Sequence, residues 1–149
     1  MKLMAGIVLF LLCALAGEEK SRRLLRREQE LFSLRELIKR IGEGQLTALV
    51  SFREAALSCP PSPTRDQLLR LAEGREKDVP LLKREEADRL LAYVRSESRS
   101  PSALRGDLDD LLALLLRAGE QARAERTSKG QIYRSVGCLV GAAALLLVL

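Results

Sequence analysis

Few residues in this 149-residue sequence have the types and spacing that chemistry requires. The chain contains no histidine, so it offers no imidazole to act as a base or to bind a metal. This observation removes most hydrolase, metalloenzyme and proton-shuttle functions. The stretch Gly42-Glu43-Gly44 is too short for a phosphate-binding loop, and no strand is predicted before it.

The three cysteines indicate no reactive or metal-binding centre. Cys13, Cys59 and Cys138 lack metal-ligand spacing and do not suggest a disulfide framework. Cys13 and Cys138 lie in apolar runs, where we expect them to be small buried hydrophobic residues. Lipid modification of Cys13 after an export signal is the alternative, but Leu12 precedes it where a small residue would be expected.

The charged clusters have structural explanations. Glu85 and Glu86, like the acidic residues within 107–110, are expected near helix N-termini, where negative charge is favourable. The stretch Arg22-Arg23-Leu24-Leu25-Arg26-Arg27 could bind nucleic acid or anionic lipid, but it is typical of a topology signal at a membrane surface. We therefore predict a non-enzymatic protein without catalytic residues, metal, cofactor, nucleic acid or small-molecule substrate.

Two uncharged runs, Leu3–Gly17 and Val136–Leu149, enclose nearly all of the charged residues, which make up 30% of the chain. As a helix the first run would span about 22 Å, less than the roughly 30 Å hydrocarbon core of a bilayer. It is either a membrane anchor or a signal peptide cleaved after Ala14-Leu15-Ala16. The basic residues that follow it oppose translocation and favour the anchor. A second helix over Ile132–Leu149 would span about 27 Å.

The flanks of both runs predict a topology. The membrane-interface anchors are predicted to be Arg22, Arg23, Arg26, Arg27, Lys129, Tyr133 and Arg134. All of them border the middle of the chain, so the middle is expected to be cytoplasmic. Gly137 and Gly141 form a G-x-x-x-G pair, which would pack against the first apolar segment or against a second copy.

The middle of the chain is predicted to be all-helical, because leucine is abundant and no alternating strand pattern persists. Helices are expected over Lys20–Ile41, Gln45–Ser58, a stretch capped by Thr64, Leu81–Val94, and from Pro101 onward. Gly42 with Gly44, a proline-rich break at 59–63, and Gly74 should end helices. Heptad seams are predicted at Leu24, Leu31, Leu34, Ile38 and Ile41, and at Leu104, Leu108, Leu111, Leu115, Ala118 and Ala122.

These elements predict an all-α fold, namely a small antiparallel helical bundle flanked by an N-terminal and a C-terminal transmembrane helix. The expected domains are a transmembrane helix at 1–17, a cytoplasmic bundle at 18–131 and a second transmembrane helix at 132–149. The fifth helix is expected to continue from the bundle into the membrane without a break, so the chain would be two-pass.

Three segments resemble the stage III sporulation protein AB family. They are Leu82–Leu91, the leucine-rich fifth helix and KGQIYRSVGCLVG, in which Lys129, Tyr133, Arg134, Ser135 and Gly137 match the segment that leads into the last membrane helix of that family. The stretch Arg35-Glu36-Leu37-Ile38 is also similar. The chain departs from the family after the first helix, where only Phe52-Arg53-Glu54-Ala55 is similar, and at Val94–Ser100, where the usual Leu-Gly pairs are replaced.

The resemblance implies a two-pass protein of the mother-cell membrane that surrounds the forespore. It implies a cytoplasmic domain similar to that of type II secretion platform proteins, placed beside a secretion-type ATPase and other membrane subunits of a channel complex. The implied role is scaffolding or coupling, with Glu85, Glu86 and Asp88 as the expected partner surface. An exported helical binding protein with a cleaved signal is the alternative function.

Overall fold

The computed structural model describes residues 2–76, 78–96 and 100–148. Within these ranges the chain forms five helices and no strand, which confirms the all-helical prediction. They are α1 (Lys2–Ala48), α2 (Phe52–Ser58), α3 (Pro63–Ala72), α4 (Arg84–Arg95) and α5 (Pro101–Val148). Met1 and Leu149, at the outer ends of the predicted membrane segments, lie outside the described residues, as do Glu97–Arg99 in the segment that departs from the family.

Helix α1 is continuous, and the prediction that Gly42 and Gly44 end a helix is wrong. A Cβ atom at Gly42 would overlap the side chain of Leu108 in α5, so this glycine lets two helices approach closely inside an unbroken helix. The predicted seam along α1 is confirmed at Leu31, Leu34 and Ile38, which are buried, as is Ile41, while Leu24 is half-buried.

The predicted helix over Gln45–Ser58 is wrong, because the chain breaks within it. Helix α1 runs on to Ala48, Leu49 adopts a left-handed conformation with φ of 54°, and α2 begins at Phe52. Ser51 caps α2: its hydroxyl accepts a hydrogen bond from the Glu54 amide at 3.3 Å, and the Glu54 carboxylate accepts one from the Ser51 amide at 3.2 Å. This reciprocal cap satisfies two free amides and fixes the start of α2.

The proline-rich stretch separates α2 from α3 as predicted, but the cap of α3 is not Thr64. Ser62 accepts a hydrogen bond from the Arg65 amide at 3.1 Å, and Pro63 is the first helical residue. Gly74 ends this region as predicted, with φ of 73°, a left-handed conformation that costs little only for glycine.

The last two helices begin close to their predicted positions. Helix α4 starts three residues later than expected, at Arg84, and Glu85 and Glu86 lie in its first turn. Helix α5 starts at Pro101, with the Ser100 hydroxyl accepting a hydrogen bond from the Ala103 amide at 3.4 Å. The unbroken course of α5 to Val148 confirms that one helix links the leucine-rich segment to the last apolar run.

The chain divides into two compact units. One, which we call the core unit, is Glu30–Gly119, and the other, the paired-helix unit, combines Met1–Gln29 with Glu120–Leu149. In the core unit α3 packs against α2 and α4. The Tyr93 hydroxyl donates a buried 3.0 Å hydrogen bond to the Gln45 side-chain oxygen, and the Phe52 ring meets the Tyr93 ring edge-on. Five of the six predicted α5 seam residues are buried, with Leu104 half-buried.

Candidate functional site

The candidate site is the interface between the first part of α1 and the last part of α5 in the paired-helix unit. A Cβ atom at Gly17 would lie 2.5 Å from the Tyr133 carbonyl oxygen, and one at Gly137 would lie 2.9 Å from the Cys13 carbonyl oxygen. Gly141 similarly meets Phe10. As residue numbers rise along α1 they fall along α5, so the two segments pack antiparallel with their backbones in close contact.

These contacts choose between the two interpretations of the G-x-x-x-G pair. Gly137 and Gly141 both face α1 of the same chain. Glycines at this spacing lower the distance between helix backbones and so increase dispersion contacts. Sequence reasoning missed the role of Gly17, which it took only as the end of an apolar run. The small size of Gly17 could have indicated a close contact with the Gly137 and Gly141 pair.

Away from the glycine contacts, both segments carry large apolar side chains that no other described residue covers. The exposed side chains are Met4, Ile7, Val8, Leu9, Leu11, Leu12 and Leu15 of α1, with Ile132, Val136, Leu139, Val140, Leu146 and Leu147 of α5. Exposure reaches 89% at Leu147 in α5 and 67% at Met4 in α1. A contiguous apolar surface of this kind is unusual on a water-soluble monomer and marks contact with lipid or protein.

Among the described residues, one helix is long and apolar enough to cross a membrane. It is the α5 helix over Pro101–Leu147, and 11% of its most apolar 18-residue stretch is buried. The low burial separates it from the core helix of a soluble protein. Helix α1 has only 15 consecutive uncharged residues, and any 18-residue stretch of its described part that contains them includes three charged residues. A membrane span by α1 therefore stays a prediction.

Charged and aromatic residues begin where the glycine contacts end. The Lys20 ammonium lies 5.4 Å from the centre of the Tyr133 ring, a cation–π distance. Arg22 pairs with Glu18 at 2.8 Å and Arg23 with Glu19 at 3.2 Å, each along α1. The remaining predicted anchors Arg26, Lys129 and Arg134 are exposed.

Two ion pairs between α1 and α5 were not predicted from the sequence. Arg27 lies 3.2 Å from Glu125, and Arg126 lies 2.8 Å from the Glu28 carboxylate oxygen. The Glu28 side chain is largely buried, so the described part of the chain gives its carboxylate a close cationic neighbour in Arg126. Helix α1 supplies the arginine of one pair and the glutamate of the other. A shift of one helix along the other would bring like charges together, so the two pairs favour one alignment. Nothing in the local spacing signals a pairing of residues 98 positions apart.

The predicted partner residues on α4 differ in their availability. Glu85 and Asp88 are exposed, whereas Glu86 accepts a 2.9 Å hydrogen bond from the Lys83 amide and helps to begin the helix. The acidic cluster at 107–110 does not occupy the first turn of α5, so the expected helix N-terminal explanation is wrong for it.

The core unit also contains a surface groove of about 740 Å³. Apolar side chains of Leu46, Leu49 and Val94 line it, together with charged Arg53 and Glu73. Arg53 and Glu73 pair with each other at 3.6 Å. Its described lining residues include no acid–base or nucleophile pair of the kind that catalysis requires.

No family model, curated protein or solved structure matches this chain.

Proposed function

We propose that the chain is a two-pass membrane protein whose paired-helix unit crosses the bilayer and whose core unit lies in the cytoplasm. The observation that carries the proposal is the asymmetry of the two apolar segments. They meet through glycines on one side and expose large apolar side chains on the other. Lipid would cover the exposed side, because it is the medium in which such surfaces are stable.

The short N-terminal segment is compatible with this arrangement. Its 15 uncharged residues are fewer than a lone transmembrane helix needs. Close packing against α5 partly shields its backbone, and a short span is accommodated by local thinning of the bilayer. The uncleaved state is supported by the contacts of Cys13 with Gly137 and of Phe10 with Gly141, since cleavage before Gly17 would remove both α1 partners.

The cytoplasmic position of the core unit follows from charge. Basic residues follow the first apolar segment and precede the second, so both basic flanks adjoin the core unit. Positively charged flanks are retained in the cytoplasm during insertion.

Within that topology we propose a non-catalytic platform subunit of the mother-cell membrane around the forespore. It would serve a channel or secretion-like complex and couple to a cytoplasmic secretion-type ATPase. This role rests on the resemblance of Lys129–Gly137 and Leu82–Leu91 to the stage III sporulation protein AB family. The exposed carboxylates of Glu85 and Asp88 would contribute to the partner surface.

Topology is tested by labelling single cysteines with a membrane-impermeant maleimide. In a background with the three native cysteines replaced by serine, Leu49→Cys places an exposed thiol in the core unit. We expect protection in intact cells and labelling after permeabilisation. Labelling in intact cells, or a mature protein that begins at Gly17, would instead indicate an exported helical binding protein.

The platform role is tested separately by co-purification from sporulating cells. The tagged chain should retain a secretion-type ATPase, and the double variant Glu85→Arg/Asp88→Arg should retain less. Glu36→Arg, an exposed carboxylate on α1, is the matched control and should change retention little. Absence of the ATPase with the unmodified chain would refute the proposed partner.

A further inference from the structure

The net charge of this protein resides in the paired-helix unit. That unit contains ten basic and five acidic residues, whereas the core unit contains fifteen of each. The excess of five positive charges therefore lies beside the apolar segments, and the core unit is neutral. A distribution of this kind concentrates a positive potential at one place on the surface.

Most of the acidic residues in the paired-helix unit are already paired. Glu18, Glu19, Glu28 and Glu125 each neutralise one arginine. Five other basic residues are exposed and have no carboxylate within ion-pair distance in the described part of the chain. They are Lys20, Arg26, Arg123, Lys129 and Arg134.

Three of these five lie at one level. Lys20 lies over the Tyr133 ring, Arg134 is the next residue, and Lys129 precedes Tyr133 by one helical turn. Positions 129 to 134 span about 7.5 Å along α5, comparable to the headgroup layer on one side of a bilayer. The level adjoins the glycine contact between Gly17 and Gly137.

The surroundings of this cluster favour an amphipathic ligand. Ile132 and Val136, immediately next to it on α5, are 57% and 48% exposed. An anionic ligand bound at Lys129 or Arg134 would therefore also lie near apolar side chains. Stacking of a nucleic-acid base on Tyr133 would compete with Lys20, which lies over a face of that ring.

We propose that Lys20, Lys129 and Arg134 bind the phosphates of anionic phospholipid headgroups at this level, with the acyl chains against the neighbouring apolar surface. The inference rests on the proposed membrane insertion of the paired-helix unit. It adds to that function a preference among lipids, so that the protein would be enriched where anionic lipid is abundant. Each lysine or arginine attracts an anionic headgroup near it. Positions 129 and 134 point to different sides of α5, so one lipid meets about one of these side chains.

The test uses the full chain reconstituted into phosphatidylcholine vesicles that contain a trace of spin-labelled lipid. The motionally restricted fraction is compared between labelled phosphatidylglycerol and labelled phosphatidylcholine. We expect about five-fold selectivity for phosphatidylglycerol, the ratio that the attraction of about one basic side chain produces. High salt should reduce the ratio, because exposed charges are screened.

The triple variant Lys20→Gln/Lys129→Gln/Arg134→Gln should lose the selectivity. The control variant Arg89→Gln/Arg105→Gln/Arg117→Gln removes the same charge from exposed positions of the core unit and should keep it. Equal loss in both variants, or displacement of the labelled lipid by single-stranded RNA, would overturn the proposal. Equal restriction of labelled phosphatidylglycerol and phosphatidylcholine by the inserted, unmodified chain would also overturn it. A chain that does not insert into the vesicles at all would instead refute the proposed membrane insertion.

Discussion

The close contact at Gly17 makes an unusual prediction for the substitution Gly17→Ala. In most helix positions this change is stabilising by up to about 1 kcal/mol, because alanine has the higher helix propensity. Here the added Cβ would lie 2.5 Å from the Tyr133 carbonyl oxygen and 3.4 Å from the Gly137 Cα. Neither neighbour is a flexible side chain that could rotate away, so the two backbones must separate.

The size of the effect follows from the distances. Ordinary contact begins near 3.4 Å, so the helices must move apart locally by about 0.9 Å. A gap of that size forfeits a quarter to a half of each atom-pair attraction of about 0.1–0.2 kcal/mol, and overpacking typically costs about 1–3 kcal/mol. After the gain in helix propensity, Gly17→Ala should destabilise the helix pair by about 1 kcal/mol.

The assay measures separation of the two segments in mixed micelles of a mild detergent and dodecyl sulfate. Spin labels on cysteines at Leu9 and Val140, both exposed, report the distance between α1 and α5 in a background without native cysteines. Gly106→Ala is the matched control, since a Cβ there meets nothing within 4 Å. It should leave the separation midpoint unchanged. If neither Gly17→Ala nor Gly106→Ala shifts the separation midpoint, the close-packed interface is refuted.

Three further experiments test the alignment of the two helices and the core unit. Arg27→Glu and Glu125→Arg should each destabilise the helix pair, and the double exchange should restore part of the loss. The coupling energy should be up to about 1 kcal/mol, because both side chains are partly exposed. Additive effects of the two substitutions in the micelle assay would exclude direct pairing. Ser51→Ala should lower the free energy of unfolding of the core unit by about 1 kcal/mol in chemical denaturation, whereas Ser33→Ala inside α1 should change it little. Gly74→Ala should lower the thermal midpoint, because alanine at φ of 73° costs about 1–2 kcal/mol; an unchanged or raised midpoint would contradict the left-handed turn.

The predicted helix ends show which local signals can be trusted in this chain. The breaks at the proline-rich stretch and at Gly74 were predicted correctly, since proline lacks an amide and glycine accepts a left-handed conformation. The cap of α2 is visible in the sequence as Ser51-Phe52-Arg53-Glu54, although the longer apolar pattern over Gln45–Ser58 favours an unbroken helix. A capping box is a short-range interaction, so this error was avoidable.

The errors at Gly42 and at the acidic cluster of α5 have a different cause. A glycine in a helix is ambiguous locally, because it either ends the helix or makes room for a neighbour. Only the position of Leu108 against Gly42 decides between the two. The 107–110 cluster was misplaced because the helix start at Pro101 puts it beyond the first turn, where the helix dipole has little effect.

The sequence by itself determined the helical class, the two uncharged runs, most of the buried seam positions and the concentration of basic residues beside the runs. These properties depend on residue type and spacing within about two helical turns, so they can be read locally. Only the tertiary structure decided that Gly17 meets Gly137, that Arg27 and Glu28 pair across to α5, and that Lys20 lies over Tyr133. Each of these contacts joins residues about 100 or more positions apart, and their energy depends on a distance between helices that no local pattern specifies.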